Sequence, residues 1–514
     1  MRMLFAGLPS RENSPARIIC EIAILLPLCL IIYATDLNGS DLWASHEARA
    51  AMDAQSLLES QDYLLPQLFD GSLELQKPPG YYWLVAGLAT LRGHDVDEID
   101  VRLPAALSAT FTVLLVHVFV RRLLPRRPAF GIAIILMTSI HWIALARTGR
   151  IDMVLTGVVT MALILGTWSP VSRVGMFAKS LLLLFSLASA LFLKGLIGWL
   201  MILGAWSVLC IAKSRRWNSR FDLLCSPTLV ATVLLGFGSL ILVIPWFYLA
   251  NRHTNGELFE SLIVYHHFHR AFGGSELASH PVWFYIPRLA FDFLPWSPFL
   301  LVSVVAVLRR RELRINLQEQ PGLGGLYWFS LVAFCVIFFG LSFSRFKRAD
   351  YLLPAYPWLA IFTGVLWNAM QSRHSSSVQR MTQILFLLVS LGTTIGVRIS
   401  QQRDALPYEI HAFSVAVRQE QPKPSPILLF RLEAHQLSWQ LGKPLKTVIE
   451  WHDLRTLLGD NANFLIREEA LAECQEELKE FRLKILLRSV DFLQSAGKAH
   501  RAYVFLKAEK SNAP

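Results

Sequence analysis

Long apolar runs separated by short polar loops fill the first three quarters of the chain. Runs 18–34 and 229–249, for example, carry at most one charged residue each. An α-helix needs roughly 20 apolar residues to cross a bilayer, so such runs predict transmembrane helices. We expect a mainly α, polytopic membrane protein with about 11–13 transmembrane helices. The candidate crossings are 17–36, 103–120, 128–146, 152–168, 179–193, 195–212, 226–249, 287–308, 325–343, 352–370 and 380–398.

Composition supports this interpretation and excludes a soluble enzyme. The 514 residues are 54% hydrophobic and only 17% charged, whereas a soluble domain is about 25% charged. The net charge of +11 comes largely from arginines in short loops between apolar runs. Such loops are typical of the cytoplasmic side of membrane proteins, so nucleic-acid binding is not indicated.

Charge alternation along the chain also predicts the orientation. Every second loop between the predicted crossings is rich in Lys or Arg. These basic loops are 121–127, 173–179, 213–220, 309–314 and 373–380. The loops on the other side of the membrane include two long ones, 37–102 and 250–286. We therefore expect a transmembrane domain over 1–398 in the inner (plasma) membrane of a bacterium, with both loops on the periplasmic side.

The last quarter of the chain has the composition of a soluble domain. Short β-like runs alternate there with charged, helix-prone stretches, at 427–430, 447–451, 464–467, 484–487 and 503–507. This alternation predicts a small α/β domain over 399–514. An odd number of crossings, 11, places this domain on the outer side, opposite the N-terminus.

Four polar clusters fall between the apolar runs, and all lie on the predicted outer face. They are His46-Glu47-Ala48-Arg49, Gln76-Lys77-Pro78-Pro79, Arg147-Thr148-Gly149-Arg150-Ile151-Asp152 and Lys347-Arg348-Ala349-Asp350-Tyr351. Ionisable groups near membrane spans are costly, so their gathering on one face indicates a functional site.

The first three clusters each have a chemical interpretation beside a plainer one. Arg49 suits an anion, yet His46 and Glu47 also fit an ordinary solvated helix start. The two prolines fix the backbone of Lys77 for a lipid phosphate, although snorkelling to headgroups is equally open. Asp152 either activates an acceptor or serves as a helix-dipole partner.

The fourth cluster and two further groups complete the candidate site. Lys194 stands between two apolar runs with almost no loop, so its ammonium must reach water, a phosphate or an acid. Lys347 and Tyr351 offer a cation and a hydroxyl at the next outer helix end. His266, His267 and Arg270 supply metal ligands or an anion site, unless they are ordinary loop residues.

Together these residues suit reaction at a lipid-linked phosphate ester. A leaving phosphate gains negative charge, which Arg, Lys or a divalent metal ion stabilises. The chain shows neither a Walker motif nor a G-x-G-x-x-G motif, so no nucleotide cofactor is expected. Polyprenyl-phosphate sugars and membrane lipids are the expected partners, and nucleic acid is not.

The order of the motifs resembles the polyprenyl-phosphate-sugar glycosyltransferases of the GT-C superfamily. The lipid A aminoarabinose transferases (ArnT) and bacterial protein O-mannosyltransferase (PMT)-like enzymes are most similar, over most of 36–370. The similar segments are Leu42-Trp43…Glu47-Ala48-Arg49, Lys77-Pro78-Pro79-Gly80-Tyr81-Tyr82-Trp83, Arg150-Ile151-Asp152-Met153, Phe192-Leu193-Lys194-Gly195, His267…Arg270…Phe272, Pro295-Trp296 and Lys347…Tyr351-Leu352-Leu353-Pro354.

The resemblance implies transfer of a sugar from undecaprenyl phosphate or a related carrier at the outer face. The acceptor would be a lipid A-like lipid, a glycan or a protein. It also implies roles: Arg49, Lys77, Lys194, Arg270, Lys347 and Tyr351 at the donor phosphate, Asp152, Glu47 and His46 in catalysis, and His266 and His267 at a metal.

The sequence departs from the family pattern at two positions. His46 replaces the first acid of an Asp-Glu pair, and Gln76 replaces the Glu before Lys-Pro-Pro. A homologue that binds the lipid carrier without turnover is therefore one alternative. A flippase or transporter is another, disfavoured because its ionisable groups would lie near the bilayer midplane in repeated elements.

Overall fold

The computed structural model describes most of the chain. The described residues are 14–42, 44–168, 170–214, 227–273, 279–313, 315, 321–371, 375–405, 410–432, 434–458, 461–492 and 502–510. Trp43 and Gly274, and parts of the basic loops 213–220, 309–314 and 373–380, lie outside these ranges.

The described residues form two compact units. The helical unit comprises the described parts of Met1–Thr35, Leu75–Tyr81 and Arg102–Arg398. The α/β unit comprises those of Asp36–Glu74, Tyr82–Val101 and Ile399–Pro514. Most of the first outer loop thus shares a unit with the C-terminal part, which the hydrophobic pattern did not indicate. The predicted division at residue 398 stays a prediction.

The chain is mainly helical, as predicted. Its helices are α1 (Pro15–Tyr33), α2 (Ser45–Ser60), α3 (Gly80–Arg92), α4 (Glu98–Arg121), α5 (Arg126–Met137), α6 (Ile140–Ala146), α7 (Ile151–Thr167), α8 (Arg173–Lys194), α9 (Leu196–Ser214), α10 (Pro227–His253), α11 (Arg270–Phe272), α12 (Tyr285–Asp292), α13 (Ser297–Arg309), α14 (Pro321–Ser342), α15 (Tyr356–Gln371), α16 (Ser376–Ala405), α17 (His411–Glu420), α18 (His435–Leu441), α19 (Trp451–Leu458) and α20 (Leu471–Glu477). A π-helix spans Phe259–His269, and 3-10 turns occur at Val282–Phe284, Ala349–Ala355, Glu468–Ala470 and Ser489–Phe492.

Every predicted crossing corresponds to a helix or a helix pair. Within the described residues, 6 helices are long and apolar enough to span a bilayer, or up to 8 when each bent pair is counted as one span. The other three predicted crossings, 152–168, 195–212 and 352–370, correspond to α7, α9 and α15. Helix α7, with 17 residues, rises about 25 Å, less than the hydrocarbon thickness of about 30 Å. The predicted number of crossings is therefore larger than the number of full-length spans.

The two bent pairs contact each other. Helices α5 and α6 meet at 64°, and the segment Val282–Asp292 meets α13 at 109°. The backbone N–H of Ile140 donates to the carbonyl of Leu294 at 2.8 Å, and the indole of Trp296 donates to Thr138 at 3.2 Å. Each bend thus satisfies polar groups that the other exposes, which a membrane interior requires.

The α/β unit contains the small sheet expected from the sequence. Its strands are β1 (Ile427–Phe430), β2 (Leu445–Val448), β3 (Asn461–Arg467), β4 (Phe481–Arg488) and β5 (Tyr503–Lys510). Their order is β2-β1-β3-β5-β4, with β1 parallel to β2 and β3, and β5 antiparallel to its neighbours. Strand β1 is buried throughout because apolar clusters cover both faces of the sheet.

One predicted strand needs correction. The run 447–451 is a strand only as far as Val448, and helix α19 begins at Trp451. The strand instead starts earlier, at Leu445, where it pairs in parallel with Ile427. Pairing with a neighbouring strand, which local composition does not reveal, decides where such a short strand begins.

Candidate active site

The helical unit contains a largely apolar cavity that is also lined by three cationic side chains, here called the site cavity. Its volume is about 430 Å³, within the range of small-molecule sites. The polar lining residues are Gln76, Lys77, Lys194, His266, His267, Arg270, Ser344, Tyr285 and Tyr351. Leucine, isoleucine, valine and phenylalanine side chains form most of the remaining wall. Such a cavity suits a ligand with an anionic head and an apolar tail.

Backbone hydrogen bonds join the two segments that form one side of the site cavity. Phe346 donates its N–H to the carbonyl of Arg270 at 3.1 Å, and Arg345 donates to Ala271 at 3.1 Å. The π-helix Phe259–His269 leads directly into this junction. Since π-helical turns are rare and frequent at functional sites, the local backbone marks the same region as the cavity.

Arg270 carries its charge at the cavity wall. Its guanidinium carbon lies 5.1 Å from the ring centre of Phe346, a cation–π distance. Its Nε is buried and has no hydrogen-bond acceptor among the described residues. A buried N–H without an acceptor is costly, so an anion in the cavity would satisfy it.

Lys194 and Asp152 form an ion pair at the same cavity. Lys194 is the last residue of α8, where the helix dipole favours a cation. Asp152 lies in the first turn of α7, where the dipole favours an anion, and it is 7% exposed. The ammonium of Lys194 also lies 3.9 Å from the ring centre of Tyr351. The structure therefore brings together three predicted site residues that are far apart in sequence.

His267 fixes the turn that follows Lys194. Its Nε2 accepts the backbone N–H of Leu196 at 3.0 Å, so its Nδ1 carries the proton that is donated to the carbonyl of Leu262 at 2.6 Å. Burial and the charge of Arg270 lower the pKa of His267 below its ordinary value. His267 is thus a neutral structural residue of the cavity wall.

These hydrogen bonds argue against a metal role for His267, and the role predicted for His266 stays a prediction. Both ring nitrogens of His267 are in use, so it has no lone pair for a metal ion. Within the described residues, neither histidine belongs to a group of at least three potential metal ligands. Such a group occurs at His94, Asp97 and Asp100, where Arg92 already pairs with both carboxylates at 2.8 Å.

Lys347 does not point into the site cavity, contrary to its predicted role at the donor phosphate. Its side chain is 3% exposed, and the ammonium donates to the backbone carbonyls of His280, at 2.9 Å, and Ser344. Burial lowers the pKa of Lys347. The residue therefore joins two loops, since its protons satisfy carbonyls that would otherwise be buried alone.

Asp350 forms an ion cluster that the sequence did not single out as part of the site. Arg150 approaches its carboxylate at 2.9 Å and Arg348 at 3.4 Å. Burial opposes the charge, but these two arginines hold the pKa of Asp350 below its ordinary value. Only the position of Asp350, beside Tyr351 in a polar cluster, could have suggested this role.

The α/β unit holds the remaining predicted residues. Arg49 forms an ion pair with Glu74, whose side chain is fully buried. Burial works against the charge, yet Glu74, Tyr82 and Asp53 raise the pKa of Arg49 above its ordinary value. Arg49 is thus a permanent cation with a protein carboxylate as its partner.

Two catalytic candidates lie on the same helix as Arg49. Glu47, in the first turn of α2, is fully buried, and His46 is half-buried. Glu74 was missed by the sequence interpretation, although it stands two residues before Gln76, where the family pattern has an acid. Its place two residues before the position of the family's acid is the one signal that could have identified Glu74.

Comparison with known proteins agrees with this geometry. The family model described as dolichyl-phosphate-mannose-protein mannosyltransferase matches residues 76–248. Two Pseudomonas fluorescens proteins named undecaprenyl phosphate-alpha-4-amino-4-deoxy-L-arabinose arabinosyl transferase 2 are 26% and 28% identical to this chain. The first match covers 76% of this chain and 68% of the relative, and the second covers 72% and 60%.

The fold agrees with these sequence similarities. The crystal structure of ArnT from Cupriavidus metallidurans bound to undecaprenyl phosphate superposes with a TM-score of 0.74 and 17% identity. The superposition covers 95% of this chain and 98% of that one. This chain is a multi-pass membrane glycosyltransferase that has the fold of ArnT and is similar in sequence to the arabinosyl transferases and to the protein mannosyltransferase model.

Proposed function

We propose that this enzyme transfers a sugar from a polyprenyl-phosphate carrier, such as undecaprenyl phosphate, to an acceptor at the periplasmic face of the inner membrane. The names of its relatives support a phosphate-linked lipid donor. From the resemblance to the lipid A aminoarabinose transferases we propose a lipid A-like acceptor, and hence modification of lipopolysaccharide in the cell envelope. A glycan or a protein is the alternative acceptor.

The site cavity is the observation that carries the proposal. Lys77, Lys194 and Arg270 line one cavity whose other walls are mostly apolar. A lipid phosphate needs both features, because its charge requires cations and its isoprenoid chain requires an apolar surface. A soluble nucleotide sugar would leave the apolar wall without a partner.

In this proposal the cations act on the leaving group. As the acceptor oxygen bonds to the anomeric carbon, the bond from that carbon to the phosphate oxygen breaks. The electron pair stays on the phosphate, which therefore gains negative charge in the transition state. In this proposal Lys77, Lys194 and Arg270, which line the site cavity, stabilise that charge. Such preorganised electrostatic stabilisation contributes more to catalysis in many enzymes than any other single effect.

The remaining residues have supporting roles in this proposal. Asp152 positions Lys194 through their ion pair, and the Tyr351 ring confines the same ammonium. Glu47 and His46 stay candidates for taking the acceptor proton. Arg49 is assigned to the α/β unit's buried ion pair with Glu74 and not to the donor phosphate. The proposal includes no step through a metal ion.

The test is sugar release by the purified enzyme in lipid from a panel of radiolabelled polyprenyl-phosphate sugars. We expect turnover with one donor and a loss of at least about 100-fold in kcat/KM for Arg270→Ala. Lys179→Ala is the matched control, since Lys179 donates to the carbonyls of Gly166 and Trp168, away from the cavity. Donor binding without turnover would support the binding-only alternative, and neither binding nor turnover would overturn the proposal.

A further inference from the structure

A second and larger cavity lies beside the first half of helix α1. It has a volume of about 1150 Å³ and is lined by α1, α5, α15 and α16. Arg17 and Glu21, near the start of α1, lie on its wall. At the other end of α1, Arg147 donates to the carbonyl of Thr35 at 2.8 Å, three residues before Arg150. Sixteen residues of helix, about 24 Å, separate Arg17 from Tyr33.

Four arginines line this arginine cavity, namely Arg17, Arg121, Arg126 and Arg127. Arg121 is buried and bound to Glu21 at 3.0 Å, so it belongs to the structural core of the wall. Arg17 and Arg127 make no ion pair or side-chain hydrogen bond with any other described residue. With Glu21 as the one carboxylate in the lining, the cavity keeps a net charge of +3.

The burial of Glu21 leaves the arginines available to an external anion. Its carboxylate is 1% exposed and accepts hydrogen bonds from Arg121 at 3.0 Å and from His117 at 3.0 Å. Arg126 is farther away, at 3.6 Å, and its side chain is 59% exposed. Because Glu21 is satisfied inside the wall, it does not neutralise the arginines at the mouth.

Below the arginines the walls become apolar. Ile24, Phe130, Ile134, Phe386 and Leu387 line the deeper part, and amides of Gln371 and Gln383 stand among the polar lining. Helices α1 and α16 expose most of their apolar surface on the outside of the unit, as helices that face lipid do. A lipid in the bilayer can therefore reach the cavity from its side.

We propose that the arginine cavity binds an anionic phospholipid. The phosphate contacts Arg17, Arg126 and Arg127, and an acyl chain lies along the apolar wall. Basic pockets between transmembrane helices are a known way of binding anionic headgroups. The cavity is distinct from the site cavity, since the two share no lining residue. The proposal does not depend on the sugar donor.

The experiment measures retention of phosphatidylglycerol by the full-length enzyme, using native mass spectrometry after reconstitution in phosphatidylcholine containing phosphatidylglycerol. We expect the triple variant Arg17→Gln/Arg126→Gln/Arg127→Gln to retain the anionic lipid at least about tenfold less than the wild type. The matched control is Arg309→Gln/Arg310→Gln/Arg311→Gln, which removes the same charge from exposed residues outside the cavity. Equal losses in the two variants would overturn the proposal.

A second variant tests the apolar wall without changing any charge. A Cβ atom at Gly131 would meet nothing within 4 Å, because this glycine faces the open cavity. Gly131→Leu should therefore fill the space of the acyl chain and reduce retention of phosphatidylglycerol, with the fold intact. In a final experiment, glycerol phosphate, which lacks acyl chains, is added as a competitor of the lipid. If it competed as well as the lipid, the site would be one for soluble anions and the proposal would be wrong.

Discussion

The imidazole of His267 holds the backbone amide of Leu196 at 3.0 Å and so fixes the turn that ends the helix of Lys194. The position of the Lys194 ammonium at the site cavity therefore depends on the hydrogen bond that His267 makes. Gly195 lies between them with a φ of +64°, a conformation that favours glycine. This turn links the geometry of the active site to the charge state of one histidine.

The stability of the enzyme should depend on pH through His267. Its pKa in the folded state lies below the ordinary value of about 6.5. The unfolded chain therefore binds the proton more readily, and the contribution of His267 is complete above pH of about 6.5 and is lost as the pH falls further. We expect the thermal midpoint to fall between pH 7.5 and 5, and His267→Gln to flatten this dependence. Parallel curves for the two proteins would contradict the assignment.

Gly195→Ala should damage the site more than an equally strained substitution elsewhere. A Cβ atom at residue 195 would overlap the His267 ring, in addition to the cost of the positive φ. We expect a destabilisation of about 1–3 kcal/mol together with reduced turnover. The control is Gly256→Ala, where φ is +95° and nothing lies within 4 Å. Equal loss of turnover in both variants would show that backbone strain alone is responsible.

Lys347→Met distinguishes a structural lysine from a phosphate ligand. Its ammonium donates to the carbonyls of His280 and Ser344, so its removal should lower stability by about 2 kcal/mol. The KM for the lipid donor should stay unchanged in the molecules that remain folded. The measurement is a thermal midpoint together with initial rates. A raised KM at unchanged stability would restore the role expected from the sequence.

Chelation should leave turnover unchanged, since the proposed chemistry uses arginine and lysine at the leaving phosphate. The measurement is the initial rate before and after dialysis against EDTA, with Mg²⁺, Mn²⁺ and Zn²⁺ added back separately. A loss of activity that one ion restores would contradict this prediction. It would also reopen the search for metal ligands, beginning with the carboxylates of the α/β unit.

The sequence predicted the fold well where the decisive forces are local. Within the described residues, apolar runs identified every helix that is long enough to span a bilayer, because membrane insertion depends on composition over a short window. The run Ile427–Phe430 was located with the correct bounds because it is continuously apolar, as a strand buried on both faces of a sheet is. The strand Leu445–Val448 was misplaced because its start depends on pairing with another strand.

The sequence indicated which residues lie at the site cavity better than it indicated what those residues contact. Lys194 stood out since a lysine between two apolar runs must find a partner, but the chain does not say that the partner lies 42 residues earlier. Lys347 is also a lysine at an outer helix end, but its role differs because its ammonium donates to the backbone carbonyls of His280 and Ser344. Glu74 was missed because its burial beside Arg49 is a tertiary effect.

A double-mutant cycle on Asp152 and Lys194 tests the central ion pair. Removing one partner of a buried pair leaves a charge without compensation, so Asp152→Asn and Lys194→Met should each destabilise the enzyme by about 3–5 kcal/mol. The double variant should cost less than the sum, with a coupling of at least about 1 kcal/mol. Turnover should not recover in the double variant, because the leaving phosphate would still lack the Lys194 charge. Additive losses of stability would mean that the pair is not formed, and recovered turnover would mean that Lys194 does not act on the phosphate.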